Sequence, residues 1–186
     1  MSHIPNQIHQ TWNSALLPEQ GGTLHAAFHV ATDGMLLEAR NAERVALAVT
    51  VSRGSLVVEA PEDHIVLDVE DTYGVQFGGV HDLHITFGDF GTRIYLDGYQ
   101  AFACATNICP SKYAQAGVFH CANEAHIGVE RLECFSEAWT SERIQGSVPV
   151  PQPDIEFAAA YLADKDVKTL HGVTDGTIYA QFRVRG

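Results

Sequence analysis

Between residues 23 and 135 apolar and polar positions alternate with a period of two, and helical periodicity is nearly absent. Over 23–30, Leu24, Ala26, Phe28 and Val30 fall on one face and His25, Ala27 and His29 on the other, as in a strand that packs on one side only. After a turn at Asp33-Gly34 the pattern predicts strands at 35–39 and 45–51 and, beyond a turn at Gly54, at 55–60. Residues 64–70 alternate again. At 81–87, Leu83, Ile85 and Phe87 oppose Asp82, His84 and Thr86, and Gly88-Asp89-Phe90-Gly91 turns the chain into 92–97 as a β-hairpin. Further strands are expected at 99–105 and 125–135, separated by a cysteine-bearing loop. Short strands with turn signals at a spacing of roughly ten residues predict an all-β sandwich or barrel.

The remainder reads differently. Residues 138–144 and 155–163 are short-helix candidates, and Val148-Pro149-Val150-Pro151-Gln152-Pro153 must run extended, because three prolines fix φ and remove three donors. Residues 176–184 echo 22–30, sharing Gly, Thr, Ala, Phe and Val in register. Such an echo fits a pair of neighbouring strands, or the opening strand of a following domain.

Composition sets limits on this picture. The chain has 186 residues, 46% hydrophobic and 18% charged, which suits one folded domain spanning 1–186. Its 23 acidic and 11 basic side chains leave a formal charge of −12, with no basic run. Nucleic acid and anionic membrane surfaces are therefore poor partners. No apolar stretch approaches the roughly 20 residues of a membrane helix, so no membrane insertion is expected. The N-terminal residues show no basic region followed by an apolar core, so no secretory signal is expected in the chain as written.

Cys104, Cys109, Cys121 and Cys134 could pair in three ways, the most local joining Cys104 to Cys109 and Cys121 to Cys134, or remain buried thiols. An even, clustered count suits an extracellular domain. No C-x-x-C or C-x-x-H pair supports a zinc clip.

One stretch carries a family likeness. His81-Asp82-Leu83-His84-Ile85-Thr86-Phe87-Gly88-Asp89-Phe90-Gly91-Thr92-Arg93-Ile94-Tyr95-Leu96-Asp97-Gly98 resembles the central hairpin of concanavalin A-like, laminin-G-like domains, with Gly98 supplying a positive φ after the strand. Asp33-Gly34-Met35-Leu36-Leu37 resembles the family's second strand. Arg131 to Phe135 followed by Ala138 to Ile144 resembles its closing strand and short terminal helix. The likeness covers about residues 20–146, leaving 147–186 as a proline-containing segment, a short helix and a final strand. Within the superfamily, 92–102 is most similar to the lectin-like domains attached to bacterial sialidases. That resemblance implies a jelly-roll β-sandwich of two antiparallel sheets, a glycan ligand that can be sialylated, an extracellular location and a catalytic domain as partner.

The residues themselves do not support catalysis. Glycosidases on this fold project two or three carboxylates from one strand into a cleft. The nearest stretch, Val66-Leu67-Asp68-Val69-Glu70, lacks the first. Eight arginines and no Asp-box repeats likewise fall short of a sialidase propeller. The ten histidines offer no chelating pair on one strand: His81 and His84 point to opposite faces, and His25 and His29 lie roughly 13 Å apart at strand rise. Calcium could be offered oxygens at Glu62-Asp63 and Glu70-Asp71, in a stretch without Lys or Arg from Gly54 to Thr92.

Sugar binding on a sandwich calls for an aromatic platform, flanking polar groups and, for an acidic sugar, an arginine. Arg93 and Tyr95 share a strand face, His84 and Thr86 share the paired one, and Trp12 stands apart in a polar N-terminal segment. These five are the expected carbohydrate-binding residues, and the expected function is a non-catalytic lectin-like module. Two other readings stay open: a structural or protein-recognition module, and a glycoside hydrolase with an unfamiliar site.

Overall fold

A computed structural model describes residues 10–68 and 79–147 of the chain. These form eleven strands and two short helices: β1 (Gln10–Asn13), β2 (Gly21–Val30), β3 (Gly34–Arg40), β4 (Val45–Ser52), β5 (Ser55–Ala60), β6 (Asp63–Asp68), β7 (Val80–Gly88), β8 (Gly91–Leu96), β9 (Tyr99–Cys104), α1 (Pro110–Tyr113), β10 (Ala116–Cys121), β11 (Ile127–Phe135) and α2 (Ser141–Ser147). The expected extended run at 148–153, the helix at 155–163 and the strand at 176–184 lie outside the described residues.

All described strand pairs are antiparallel, and they make two sheets. One has six strands in the order β1-β10-β3-β4-β5-β6, the other five in the order β11-β2-β7-β8-β9. The chain builds them alternately. The meander β3 to β6 lies in the first and β7 to β9 in the second, while β2, β10 and β11 cross between them. This is the all-β two-sheet sandwich that the alternation predicts.

Each strand lends one face to a common core. From the five-stranded sheet come Leu24, Ala26 and Phe28, then Leu83, Ile85 and Phe87, then Ile94 and Leu96; from the six-stranded sheet come Leu37, Ala39, Leu47, Val49, Leu56, Val58, Ile65 and Phe119. Burying an aliphatic or aromatic side chain of this size is worth about 1.5–3 kcal/mol. The alternation therefore fixes which face of each strand turns inward, since a one-residue slip would turn every such side chain outward, and the hairpin turns set the rest of the register.

Two hairpin turns need backbone that only a few residues adopt. Arg53 and Gly54 have φ of 51° and 75°, and Asp97 and Gly98 of 50° and 83°. Two consecutive positive φ values match the right-handed twist of the flanking strands. Asp97 also ties its turn to β7: its carboxylate accepts from the Asp82 backbone N–H (2.9 Å) and pairs with His81 Nδ1 (2.8 Å).

Two strands were not legible beforehand. β10 lies in what reads as a cysteine-bearing loop, and β1 is four residues of mixed polarity that pair only with it, Trp12 opposite Gly117. The Trp12 ring packs inward, 6.4 Å from the Phe119 ring and 1% exposed. A Cβ on Gly117 would meet the Arg40 carbonyl oxygen and sit 2.8 Å from Trp12 Cζ2. Both neighbours are fixed, so Gly117→Ala should cost about 2 kcal/mol, read as a lower midpoint in denaturant unfolding with an unchanged slope.

Candidate functional site

The outer face of the five-stranded sheet carries the polar half of the alternation. The β2–β7 register sets His25 opposite His84 and Thr23 opposite Thr86, and the β7–β8 register sets His84 opposite Tyr95 and Thr86 opposite Arg93. Four of the five expected sugar-binding residues are thus brought onto one face, as the sequence implied. Trp12 is not among them, being in the other sheet.

That face is nevertheless closed. His84, Thr86 and Tyr95 are 0% exposed and Trp12 1%, so none of the four offers a sugar an open platform. The cause is the chain after β11, which folds back across the sheet. Thr23 Oγ1 donates to the Glu137 carbonyl (2.8 Å) and accepts from the Trp139 N–H (2.9 Å). Tyr95 OH lies 3.4 Å from Ser141 Oγ, and the Trp139 ring packs on Phe135 (4.2 Å) and on His84 (5.7 Å). Helix α2, which forms three residues later than expected, sits over the sheet with Ile144 buried. Arg93 remains partly exposed, its guanidinium 4.5 Å from the centre of the Phe90 ring.

Beneath this cover lies a network that sequence reasoning missed. His25 Nε2 is 2.6 Å from Asp82 Oδ1 and His25 Nδ1 is 3.0 Å from Glu133 Oε2. Both ring nitrogens thus face carboxylate oxygens. Arg131 spans the same carboxylates, 3.5 Å from Asp82 and 3.6 Å from Glu133. The hydrogen bond from His25 holds the Asp82 carboxyl below its ordinary value, against the opposing effect of burial. The His84 ring stacks on that of His25, centroids 4.1 Å apart and planes 5° from parallel. Burial, reinforced by His25, depresses the His84 pKa from 6.5 to about 4. Single-strand spacing could not reveal the pair, because it forms across β2 and β7, which are 57 residues apart at His25 and Asp82.

An open groove of about 670 Å³ lies on the six-stranded sheet, where β1, β10 and the β3–β4 turn meet. Its polar lining is Thr11, Asn13, Arg40, Asn41 and His120, over a floor that includes Ala116, Gly117 and Val118. Asn13 Oδ1 accepts from the Ala15 and Leu16 N–H groups, and Asn41 Oδ1 from those of Glu43 and Arg44, which fixes both amide planes. Trp12 contributes from behind, its ring occupying the space left by Gly117. No carboxylate lines the groove, although the Arg40 guanidinium at its edge has Glu38 Oε1 3.6 Å from its Nε. The only advance signal for it was turn chemistry at Asn13 and Asn41, because the groove exists through pairing of strands about a hundred residues apart.

For calcium, the described acidic residues do not gather. Glu62 is engaged by Lys112 Nζ at 3.0 Å, and Glu70-Asp71 lies outside the described residues. Among the described residues no three His, Cys, Asp or Glu side chains are placed to hold a metal ion, and no helix is long and apolar enough to cross a membrane.

Comparison with known proteins supports the architecture. No family model matches the sequence, and no curated protein matches it. Among solved structures, a Trypanosoma rangeli sialidase in complex with 2,3-difluoro-KDN matches with a TM-score of 0.51 at 13% identity, over 68% of this chain and 22% of that one. The binding domain of Paraclostridial Mosquitocidal Protein 1 matches at 0.50 and 9%, over 68% of this chain and 36% of that one. A T. rangeli sialidase mutant displaying trans-sialidase activity matches at 0.50 and 12%, over 77% and 27%. This chain therefore spans well under half of each. At such identities the likeness is one of fold.

All four cysteines are free thiols. Burial raises Cys109 and Cys121 to about 11 and Cys134 to about 12, so little thiolate exists near neutrality. At pH 8 these three should alkylate with iodoacetamide at least roughly a hundredfold more slowly than in the denatured chain, as peptide mass spectrometry would reveal.

Proposed function

We propose that this domain is a non-catalytic carbohydrate-binding module of the concanavalin A-like, jelly-roll kind, accessory to a glycoside hydrolase such as a sialidase and working outside the cell. The observation that carries the reading is the groove at β1, β10 and the β3–β4 turn. Its volume lies in the range of small-ligand sites, and its polar groups converge on an apolar floor. Glycosidic hydrolysis by the usual route needs two carboxylates flanking the bond, and the groove lining supplies none. Recognition without turnover is the chemistry that such a lining supports. Arg40 is the group suited to the carboxylate of an acidic sugar, since a guanidinium pairs with it in a bidentate fork.

In this reading Arg40, Asn13, Asn41, Thr11 and His120 contact the glycan, and Trp12 holds β1 in place behind them. Arg93 lies on the other sheet, with Tyr95, His84 and Thr86 beneath the cover beside it, and takes no part while the cover is closed. Calcium plays no role in this site.

A glycan array carrying sialylated and neutral sugars, probed with the full chain in calcium and again in EDTA, tests this. Binding to sialylated glycans in both buffers is expected. It should fall at least about tenfold for Arg40→Ala, the loss of one charge-assisted pair, and stay within about threefold for Arg93→Ala. Silence across the array in both buffers would overturn the lectin reading in favour of a structural or protein-recognition module.

A further inference from the structure

The buried histidine pair does nothing for the groove, and its geometry has a consequence of its own. Ser147 Oγ donates to the Ile144 carbonyl at 2.8 Å, so towards His84 Nε2, 3.4 Å away, it acts as acceptor. His84 is therefore the Nε2–H tautomer, and its bare Nδ1 is the atom that would take up a proton. Nδ1 is buried and has no hydrogen-bond partner among the described residues, and neither has the buried Nε1 of Trp139. A proton on Nδ1 would create a buried N–H with no acceptor, on a ring stacked at 4.1 Å against His25, whose two nitrogens already face carboxylates.

We infer that the stacked His25–His84 pair is an acid-sensitive latch: with His84 neutral, residues 137–147 lie closed over the five-stranded sheet, and protonation of His84 releases them and opens the polar face that carries Thr86, Arg93 and Tyr95.

The groups around His84 decide the sign. Asp82, two residues along β7, favours the charged ring; His25 on β2 and Arg131 on β11 oppose it, as does burial, the largest effect. Glu133 on β11 is occupied by His25 and Arg131. From β8 comes the Tyr95 hydroxyl, and from the cover come Ser141, Ser147 and Trp139, with Arg143 stacked on the Trp139 ring at 4.3 Å and bonded to Glu137. The net effect depresses the pKa of His84 in the closed form to about 4 from 6.5. The stabilisation of the closed form is therefore complete above pH 6.5 and is lost as pH falls through about 4.

Release of the cover is the economical response. The cover is held by side-chain contacts and two hydrogen bonds to Thr23, whereas β7 is paired with a neighbour along both edges. Returning His84 to water needs only the former to break. This inference does not rest on the glycan reading, since the groove lies on the other sheet.

Amide hydrogen exchange of the full chain tests it, with rates corrected for intrinsic pH dependence. Between pH 7.5 and 4.5 the protection of α2 should fall by roughly 70-fold while that of β7 and β8 holds, the change in opening constant that linkage gives for a shift from 6.5 to about 4. His84→Gln should reduce this response to less than about threefold. If that variant fails to fold, the wild-type chain still decides the matter. Ser147→Ala, an exposed substitution, should weaken α2 protection at pH 7.5 and retain the pH response. Unchanged protection of α2 at pH 4.5 in the wild type would overturn the latch, and so would an equal fall across β7 and β8 or an undiminished response in His84→Gln.

Discussion

A histidine held between two carboxylates, with a second histidine stacked upon it, governs how the five-stranded sheet is finished. The sheet's inner face is settled by apolar burial, which is insensitive to conditions near neutrality. Its outer face is polar and yet covered, and burial of polar groups is tolerated only where partners are supplied. His25, Asp82, Glu133 and Arg131 supply them to one another across three strands. Removing His25 would leave the buried Asp82 carboxylate without its closest partner, whereas Glu133 and Arg131 keep access to water. The cover formed by residues 137–147 lies against this network through the His84 ring, which stacks on His25 on one side and meets Trp139 on the other, and whose buried Nδ1 is left without a partner among the described residues.

The two sheets divide the work accordingly. The five-stranded sheet has turned much of its outer polar face into an interior, with β2 contacting β7, β11 and, through Thr23, the cover. The six-stranded sheet keeps an open groove where β1 and β10, paired across about a hundred residues of chain, meet the β3–β4 turn. Gly117 matters to this edge of the sheet, because its missing side chain leaves room for the Trp12 ring in the core.

Much of the fold was legible in advance. Nine of the eleven described strands coincide with strands expected from alternation and turn signals, and the positive φ at Gly98 follows from the Asp-Gly turn. β10 escaped because its two inward residues, Phe119 and Cys121, make too short a pattern to stand out beside neighbouring cysteines. β1 escaped because four residues carry no periodicity, and its strand character exists only through its partner. The candidate site was legible in a weaker sense. Alternation correctly put Arg93, Tyr95, His84 and Thr86 on one face, but nothing in a strand's own pattern tells a polar face that meets water from one that meets another segment.

The sequence by itself determined the sheet-forming pattern, which side of each strand faces inward and the acidic, helix-poor character, because these follow from composition, side-chain periodicity and turn chemistry within a few residues. Tertiary structure alone decided the rest: that His25 meets His84 and both carboxylates, that Trp139 closes over them, and that Arg40, Asn13 and His120 line one groove. Each of these joins residues that are distant along the chain, and their contact energies appear only once strands have paired and the return of the chain after β11 has chosen which polar face to bury.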